Sequence, residues 1–337
     1  MEVYVLMELG KTDNHHFCKI EDRWQYDKVY YVVMTLVGKS LQDLRLQQEN
    51  KKFSLGCALS LGIQCLEALE NLHSIGYVHC YVNPSSYSIG RPDLNELRKV
   101  YLTNLGMAKK FGRSDGSIKK PRTVAGFRGT VRYAPLSYHL QHETCRKDDI
   151  ESWLYMTIEI TRGKLPWRNL GDDDKEVGEL KKECRNDKSI KQLFGGCPRQ
   201  FIDIMKLSDS WKFFDQPSYA KVYKLMKEAI VSTASALRSR YEEVAIDIRG
   251  WKNDATPDIQ IDISKSDGKN ILLIKIPSRK SPSIYAKKFL EGDELLLING
   301  VYVEDEEHAK TLTTEAMKKK EFQVVVFRPP SATKFNA

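Results

Sequence analysis

Residues 77–87 read YVHCYVNPSSY, a stretch with no carboxylate, lysine or arginine in a chain whose residues are 29% charged. Ahead of it, Leu55, Leu59, Ile63, Leu66 and Leu69 recur at helical spacing, and Gly76 falls beyond the expected helix end. Behind it, Ile150, Leu154 and Ile158 repeat the pattern, as do Val222, Leu225 and Met226. Apolar stripes of this kind bury one helix face each, so the stretch is a connection set within a helical core.

The stretch resembles the catalytic loop of eukaryotic protein kinases, H-R-D-x-K-P-x-N, in which the Asp accepts the substrate hydroxyl proton, the Lys steadies the transferring phosphate and the Asn holds magnesium. His79 and Pro84 match, whereas Tyr81 stands at the Asp position, Asn83 at the Lys position and Ser86 at the Asn position. Further along, KVYLTNLGMAKKF (99–111) resembles the D-F-G strand and segment, with Asn104-Leu105-Gly106 in place of D-F-G. A neutral amide supplies no negative charge, and magnesium favours carboxylate and phosphate oxygens. The resemblance therefore implies a catalytically impaired kinase homologue, with no cofactor expected.

Four more segments are similar to the casein-kinase-one group, and most to its tau-tubulin-kinase-like branch. YYVVMTLVGKSLQDLR (30–45) resembles the strand and hinge that hold adenine, with Met34 at the gatekeeper position and Thr35, Leu36 and Val37 offering backbone. AGFRGTVRYAP (125–135) resembles the activation and substrate-docking segment, without an A-P-E sequence. RKDDIESWLYMTIEI (146–160) resembles the central buried helix, with Asp149 at the position whose carboxylate receives N–H groups from the catalytic loop, and GKLPWRNL (163–170) the turn after it. The resemblance covers about residues 1–235. It implies an incomplete nucleotide-covering lobe: the chain has no glycine-rich loop and begins too late for the strand lysine, and Glu2, at the position of that lysine's partner, is expected to be solvated.

A second unit begins near residue 240, where the periodicity changes. Val244, Ile246 and Ile248 alternate, then Ile259, Ile261 and Ile263, then comes the run ILLIKI at 271–276. FLEGDELLLINGVYVEDEEHAKTL (289–312) followed by FQVVVFRP (322–329) resembles a PDZ domain, with Asn299-Gly300 as a tight hairpin turn and Ala309, Leu312 and Ala316 on the apolar face of a helix. A PDZ domain takes up an extended peptide at a sheet edge beside a helix. The resemblance puts Asp258-Ile259-Gln260-Ile261 in the carboxylate-binding loop, with Gln260 where the family has glycine, and Glu306 at the start of the groove helix.

No run approaches the ~18–20 apolar residues that span a bilayer, and no signal-peptide pattern opens the chain. Cytosol or nucleus is expected. The seven cysteines show no C-x-x-C pair and read as reduced thiols, and the histidines form no ligand cluster. The formal charge of +8, from 53 basic and 45 acidic residues, suits acidic or phosphorylated partners, and no nucleic-acid motif accompanies it. Basic residues are densest in the activation segment, where Arg128 and Arg132 are candidates for docking a phosphate or acidic peptide.

The expectation is an α+β multidomain protein: a kinase-like domain at 1–235 with an incomplete N-lobe and a mainly helical C-lobe, a linker at 236–241, a β-rich PDZ-like domain at 242–330 and a tail at 331–337. Its expected role is a scaffold or adaptor that binds proteins or peptides. The alternative is an atypical active Ser/Thr kinase that uses ATP and magnesium on acidic or pre-phosphorylated protein substrates. No resident metal site is expected.

Overall fold

The segment EVYVLMEL folds as α1 (Glu2–Leu9) and buries Val5, Leu6 and Leu9 on one face. The structure, a computed structural model, describes residues 1–238 apart from 13, 114, 127, 128 and 172. Beyond them it describes residues 242–249, 260–266, 269–275, 294–299, 301–302, 306–319 and 321–328. The chain divides into two compact units, Met1–Val231 and Ser232–Ala337.

In the first unit, β1 (Ile20–Tyr26) and β2 (Val29–Met34) form an antiparallel hairpin whose turn puts Asp27 at φ +52°. The sequence placed both strands of this region near residues 28–36. The earlier strand, IEDRWQY, escapes an apolar-alternation search because most of its residues are polar and exposed. The short α2 (Leu41–Leu46) starts at Ser40, whose Oγ accepts from the Asp43 N–H while Asp43 returns a bond to the Ser40 N–H.

The apolar stripe from Leu55 to Leu69 becomes α3 (Leu55–Ser74), with Leu59, Leu66 and Leu69 fully buried and Leu55 and Ile63 packed against the core. Gly76 follows the helix at φ +84°. Two small antiparallel ladders come next: β3 (Tyr77–Val78), β4 (Tyr87–Ile89), β5 (Val100–Leu102) and β6 (Lys109–Lys110) pair as β3 with β6 and β4 with β5.

Helices make up the rest: α4 (Leu136–His139), α5 (Arg146–Arg162), α6 (Asp174–Glu183), α7 (Ile190–Phe194), α8 (Gln200–Ser210) and α9 (Tyr219–Arg238). α5 runs through the middle and is buried from Asp148 to Thr161. It approaches α3 at Gly62, where an added Cβ would lie 3.0 Å from Met226 and 3.1 Å from Thr157. Trp153 of α5 donates its Nε1–H to the Gly62 carbonyl at 2.8 Å across the same crossing. The expected linker at 236–241 is helical through Arg238.

The second unit carries β7 (Glu242–Arg249), β8 (Gln260–Ser266), β9 (Lys269–Lys275), β10 (Glu294–Ile298), β11 (Val301–Tyr302), α10 (Glu306–Lys319) and β12 (Glu321–Arg328). The strands form one antiparallel sheet in the order β7-β12-β10-β9-β8, with β11 added to β10. α10 lies against β8, β10 and β12, and Ile298, Ala309, Val324 and Val326 are buried. Asn299, at φ +49°, leads the turn from β10 to β11, and Gly300 lies outside the described residues.

Candidate functional site

The connection from β3 to β4, residues 79–86, is held by the carboxylate of Asp149 near the start of α5. Asp149 Oδ2 accepts the His79 N–H at 2.6 Å and Oδ1 accepts the Cys80 N–H at 2.9 Å. His73 Nε2 bonds the same Oδ2 at 2.8 Å, and the other ring nitrogen of His73 meets the Tyr219 hydroxyl on α9. This is the anchoring role the sequence implied for Asp149. The anchor lets Cys80 hold φ +63°, a left-handed conformation that costs a β-carbon residue energy and needs outside support. His79 is fully buried with Nε2 3.0 Å from the Thr103 carbonyl oxygen; burial pushes its pKa down, and the Asp149 charge offsets this only in part.

Within the loop the substituted positions bond to one another. Asn83 Nδ2 donates to the Tyr81 carbonyl at 2.9 Å and to Ser86 Oγ at 3.1 Å, while Asn83 Oδ1 accepts the Ser85 N–H at 2.8 Å. Ser86 Oγ donates in turn to the Tyr81 carbonyl at 2.7 Å. Asn83 and Ser86 are both buried. Their polar atoms close the turn and are not presented outward. The Tyr81 side chain is half-buried, and its ring faces Gly129 of the activation segment.

Asn104 sits at φ +59°, ψ +41°, a left-handed conformation that asparagine tolerates better than most residues. Its exposed amide donates to the Ser85 carbonyl at 3.4 Å, so residues 81, 83, 86 and 104 form one neighbourhood without a charged group among them. Glu2 is not simply solvated as the sequence suggested: its Oε1 accepts the Leu105 N–H at 3.2 Å, tying α1 to the segment that follows Asn104.

Met34 ends β2 and is half-buried; Thr35 is paired with Lys19, donating its N–H to the Lys19 carbonyl at 2.9 Å and accepting the Lys19 N–H on Oγ1 at 2.9 Å. Leu36 is exposed, and no described residue bonds the main chain of Leu36 or Val37.

The activation segment is pinned by groups the sequence reading passed over. Glu143, before α5, is buried and forms ion pairs with Lys109 and with Arg122, the latter at 2.6 Å. Burial alone would raise the Glu143 carboxyl, but hydrogen bonds from Arg122 and Lys109 outweigh it and bring the pKa to about 2. Residues 131–134 are fastened from below: Lys181 Nζ donates to the Val131 and Ala134 carbonyls, each at 2.7 Å, and lies 3.1 Å from His139 Nε2. Trp167 donates its Nε1–H to the Arg132 carbonyl at 2.7 Å. Lys181 shares a buried stripe of α6 with Val177, continued by Cys184 just past the helix end, and a lysine on an apolar helical face was the available signal.

Arg132 points Nη1 at Glu159 Oε1, 3.4 Å away on α5, so part of its guanidinium is committed inward. Arg128 lies outside the described residues. Cys80, Ala125, Pro135, His142 and Asp149 line a small cleft between the catalytic loop and the activation segment. In the second unit, Gln260 and Ile261 open β8 opposite Lys275 and Ile274, and Glu306 opens α10. Asp258 and Ile259 lie outside the described residues. The seven cysteines form no disulfide, and no cluster of metal-ligating side chains occurs among the described residues.

The chain is 36% identical over 234 residues to a probable serine/threonine-protein kinase of Dictyostelium discoideum, an alignment covering 69% of this chain and 45% of that protein. It is 38% identical over 222 residues to serine/threonine-protein kinase spe-6 of Caenorhabditis elegans, covering 65% of this chain and 54% of that one. It is 30% identical over 208 residues to casein kinase 1-like protein HD16 of Oryza sativa subsp. japonica, covering 61% and 29%. The chain is similar to serine/threonine-protein kinases, casein kinase 1 homologues among them. Its homologues are Ser/Thr protein kinases, and the chain spans about half the length of the first two relatives. No protein-family model matches it. No helix among the described residues is long and apolar enough to cross a membrane.

Proposed function

We propose that this kinase-like chain is a catalytically impaired member of the tau-tubulin-kinase-like branch, serving in the cytosol or nucleus as a scaffold or adaptor in phosphorylation-linked signalling. The observation that carries this reading is the closed hydrogen-bond set of Tyr81, Asn83 and Ser86. A phosphoryl-transfer site needs a base for the substrate hydroxyl, a cation for the phosphate and carboxylate oxygens for magnesium. Residues 81, 83, 86 and 104 supply none of these: the oxygens of Asn104 and Ser86 are neutral and bring no carboxylate to magnesium, a hard cation that favours charged oxygens. The loop keeps its shape because Asp149 grips main-chain N–H groups, which every substitution at residues 79 and 80 except proline retains.

The second unit is proposed to be a PDZ-like peptide-binding module. Its strand order β7-β12-β10-β9-β8 and the position of α10 beside β8 support a groove between that helix and the outer strand, the arrangement a strand-adding peptide requires. Docking of an acidic or phosphorylated segment at the kinase-like surface is proposed for the outward part of Arg132. Bivalent attachment through both units would strengthen two weak contacts by raising their effective concentration.

The deciding experiment is a thermal-shift titration of the full chain with ATP, with and without magnesium, followed by a phosphate-transfer assay on the same sample. No magnesium-dependent shift and no transfer are expected. Magnesium-dependent stabilisation with transfer that disappears in Asn104→Ala would establish the active-kinase alternative, which draws its support from the main chain of Leu36 and Val37, bonded by no described residue, and from the Asp149 anchor.

A further inference from the structure

Lys181 of α6 is fully buried, and an ammonium group carries three N–H donors. Two go to the Val131 and Ala134 carbonyls, each at 2.7 Å, and the third meets His139 Nε2 at 3.1 Å. His139 Nε2 therefore accepts, which puts the ring proton on Nδ1, where it is donated to the Asp174 carboxylate. Asp174, Gly178 and Lys181 follow one another along one face of α6. Gly178 lets the His139 ring lie against the helix, since a β-carbon there would stand 2.9 Å from His139 Cγ and 3.0 Å from Nδ1. The His139 side chain is 4% exposed and that of Asp174 50%, so the relay Asp174–His139–Lys181 runs from solvent to the carbonyls that fasten residues 131–134.

We propose that this relay is an acid-operated release for residues 131–134, with His139 the group that takes up the proton. Lys181 and His139 can hold one excess proton between them, not two. A second would set an Nε2–H against an ammonium 3.1 Å away, two cations in a buried site with no acceptor between them. The ring cannot retreat into α6, because the helix backbone at Gly178 lies behind it. It swings instead toward Asp174 and solvent, and Lys181 loses one of the three acceptors that hold it under the segment. The surrounding groups do not make good the loss. Glu151 of α5 faces Lys181, but its Oε1 already accepts from Arg185 Nη2 at 2.8 Å, the Tyr155 hydroxyl at 2.8 Å and the Leu136 N–H at 3.0 Å. Arg185 repels the ammonium from α6 itself, and the rings of Tyr155 and Trp167 lie 5.2 and 5.1 Å from Nζ. His139 faces Asp174, Lys181 and the Tyr138 ring.

The direction of the pH response follows. Burial and the Lys181 charge hold His139 below its ordinary 6.5, and Asp174 offsets them in part. A base whose folded pKa is depressed is protonated more readily in the unfolded or opened chain, so stability falls as pH falls. The His139 contribution is complete above pH 6.5 and is lost progressively as pH drops toward the lowered folded value. Burial lowers Lys181 as well, to about 7, so it carries its charge through this acid window and its own shift acts at higher pH. The inference depends neither on the pseudokinase assignment nor on a docking role for Arg132.

The test is amide hydrogen exchange of the full chain in steps between about pH 7 and about pH 5, read by mass spectrometry on peptides spanning 131–140 and corrected for the intrinsic pH dependence of exchange. Protection there is expected to fall at least about tenfold across the range, the least that loss of one hydrogen bond to a charged group gives. His139→Gln keeps an acceptor for Lys181 and a donor for Asp174 on a side chain that does not titrate, so its protection is expected to stay within about twofold. Asp174→Asn, at a half-exposed position, removes the charge that favours the imidazolium, so the midpoint of the fall is expected at lower pH than in the parent. Glu143, with its pKa at about 2, stays ionised throughout and does not contribute. Protection that does not change with pH in the parent overturns the proposal. So does a fall that persists in His139→Gln, or a midpoint that Asp174→Asn leaves in place or raises. The second of these stands by itself if His139→Gln fails to fold.

Discussion

Replacing Asp149 by alanine tests the claim that the loop at 79–86 is shaped by one buried carboxylate. Asp149 is 1% exposed and takes three bonds, from the His79 and Cys80 N–H groups and His73 Nε2. The alanine variant takes the Asp149 carboxylate away from two main-chain donors and one imidazole nitrogen and removes what supports the positive φ of Cys80. An orphaned buried donor costs about 1–3 kcal/mol, and breaking a buried charged network from one side costs about 3–5 kcal/mol in total. The second figure is the better guide, because the three bonds share one acceptor group and are not additive.

Denaturant unfolding followed by tryptophan fluorescence reads this directly, since Trp24, Trp153, Trp167 and Trp211 lie in the first unit. The expected loss is about 3–5 kcal/mol, and at about 2–4 °C per kcal/mol for a unit of this size the melting temperature falls by about 6–20 °C. Asp149→Asn keeps one acceptor oxygen but turns an NH2 toward one of the donors, so a smaller loss, about half, is expected. A loss below about 1 kcal/mol in Asp149→Ala would refute the reasoning, since the loop would then hold its shape without the anchor.

Glu143 gives a pH dependence whose sign follows from its lowered pKa. Its folded value of about 2 lies below the unfolded one, so its ion pairs stabilise above pH ~4.5, and the contribution disappears as pH falls toward 2. Arg122 is half exposed, so about 1–2 kcal/mol is expected after screening. Acid titration of stability should show this slope in the parent and a flatter one in Glu143→Gln. Asn104→Gly is expected to keep stability within about 0.5 kcal/mol, whereas Asn104→Ala loses about 1 kcal/mol, because alanine lacks the short polar side chain that lets asparagine tolerate φ +59°; equal melting points for the two would argue against the left-handed conformation. Gly163→Ala, which ends α5 at φ +84° with the Asn50 carbonyl directly against the new methyl group, should lose more than about 2 kcal/mol, read by thermal melting.

The helical half was legible because its signal is local. Leu59, Leu66 and Leu69, or Ile150, Leu154 and Ile158, announce a buried face through spacing alone, and all six are fully buried. The loop at 79–86 was legible because His79, Pro84 and Asp149 fall in a recognisable order. What stayed hidden depends on which distant residues meet. Glu143 reads as an ordinary acidic residue until the fold brings Lys109 and Arg122 to it, and Glu159 reads as a helix surface charge until α5 is found buried with Arg45 beside it. The strand Ile20–Tyr26 was missed for the opposite reason: an outer hairpin strand with few core contacts has little need of apolar alternation, and polar residues fill it.

On the proposed reading, the site is one where chemistry is lost while a fold is kept. The catalytic-loop shape rests on donors from the main chain at residues 79 and 80, gripped from α5 by Asp149, and on the His73–Tyr219 contact that braces the same carboxylate from α3 and α9. None of these bonds uses the side chains at 81, 83, 86 or 104. The bonds that fix the loop's shape and the side chains at those four positions therefore involve separate atoms. Asn83 and Ser86 bond inward to each other, because a buried polar group must find a partner. A lysine placed at 83 would abandon the Ser85 N–H and the Ser86 hydroxyl together, and a carboxylate placed at 81 would stand beside a turn already closed on that residue's own carbonyl.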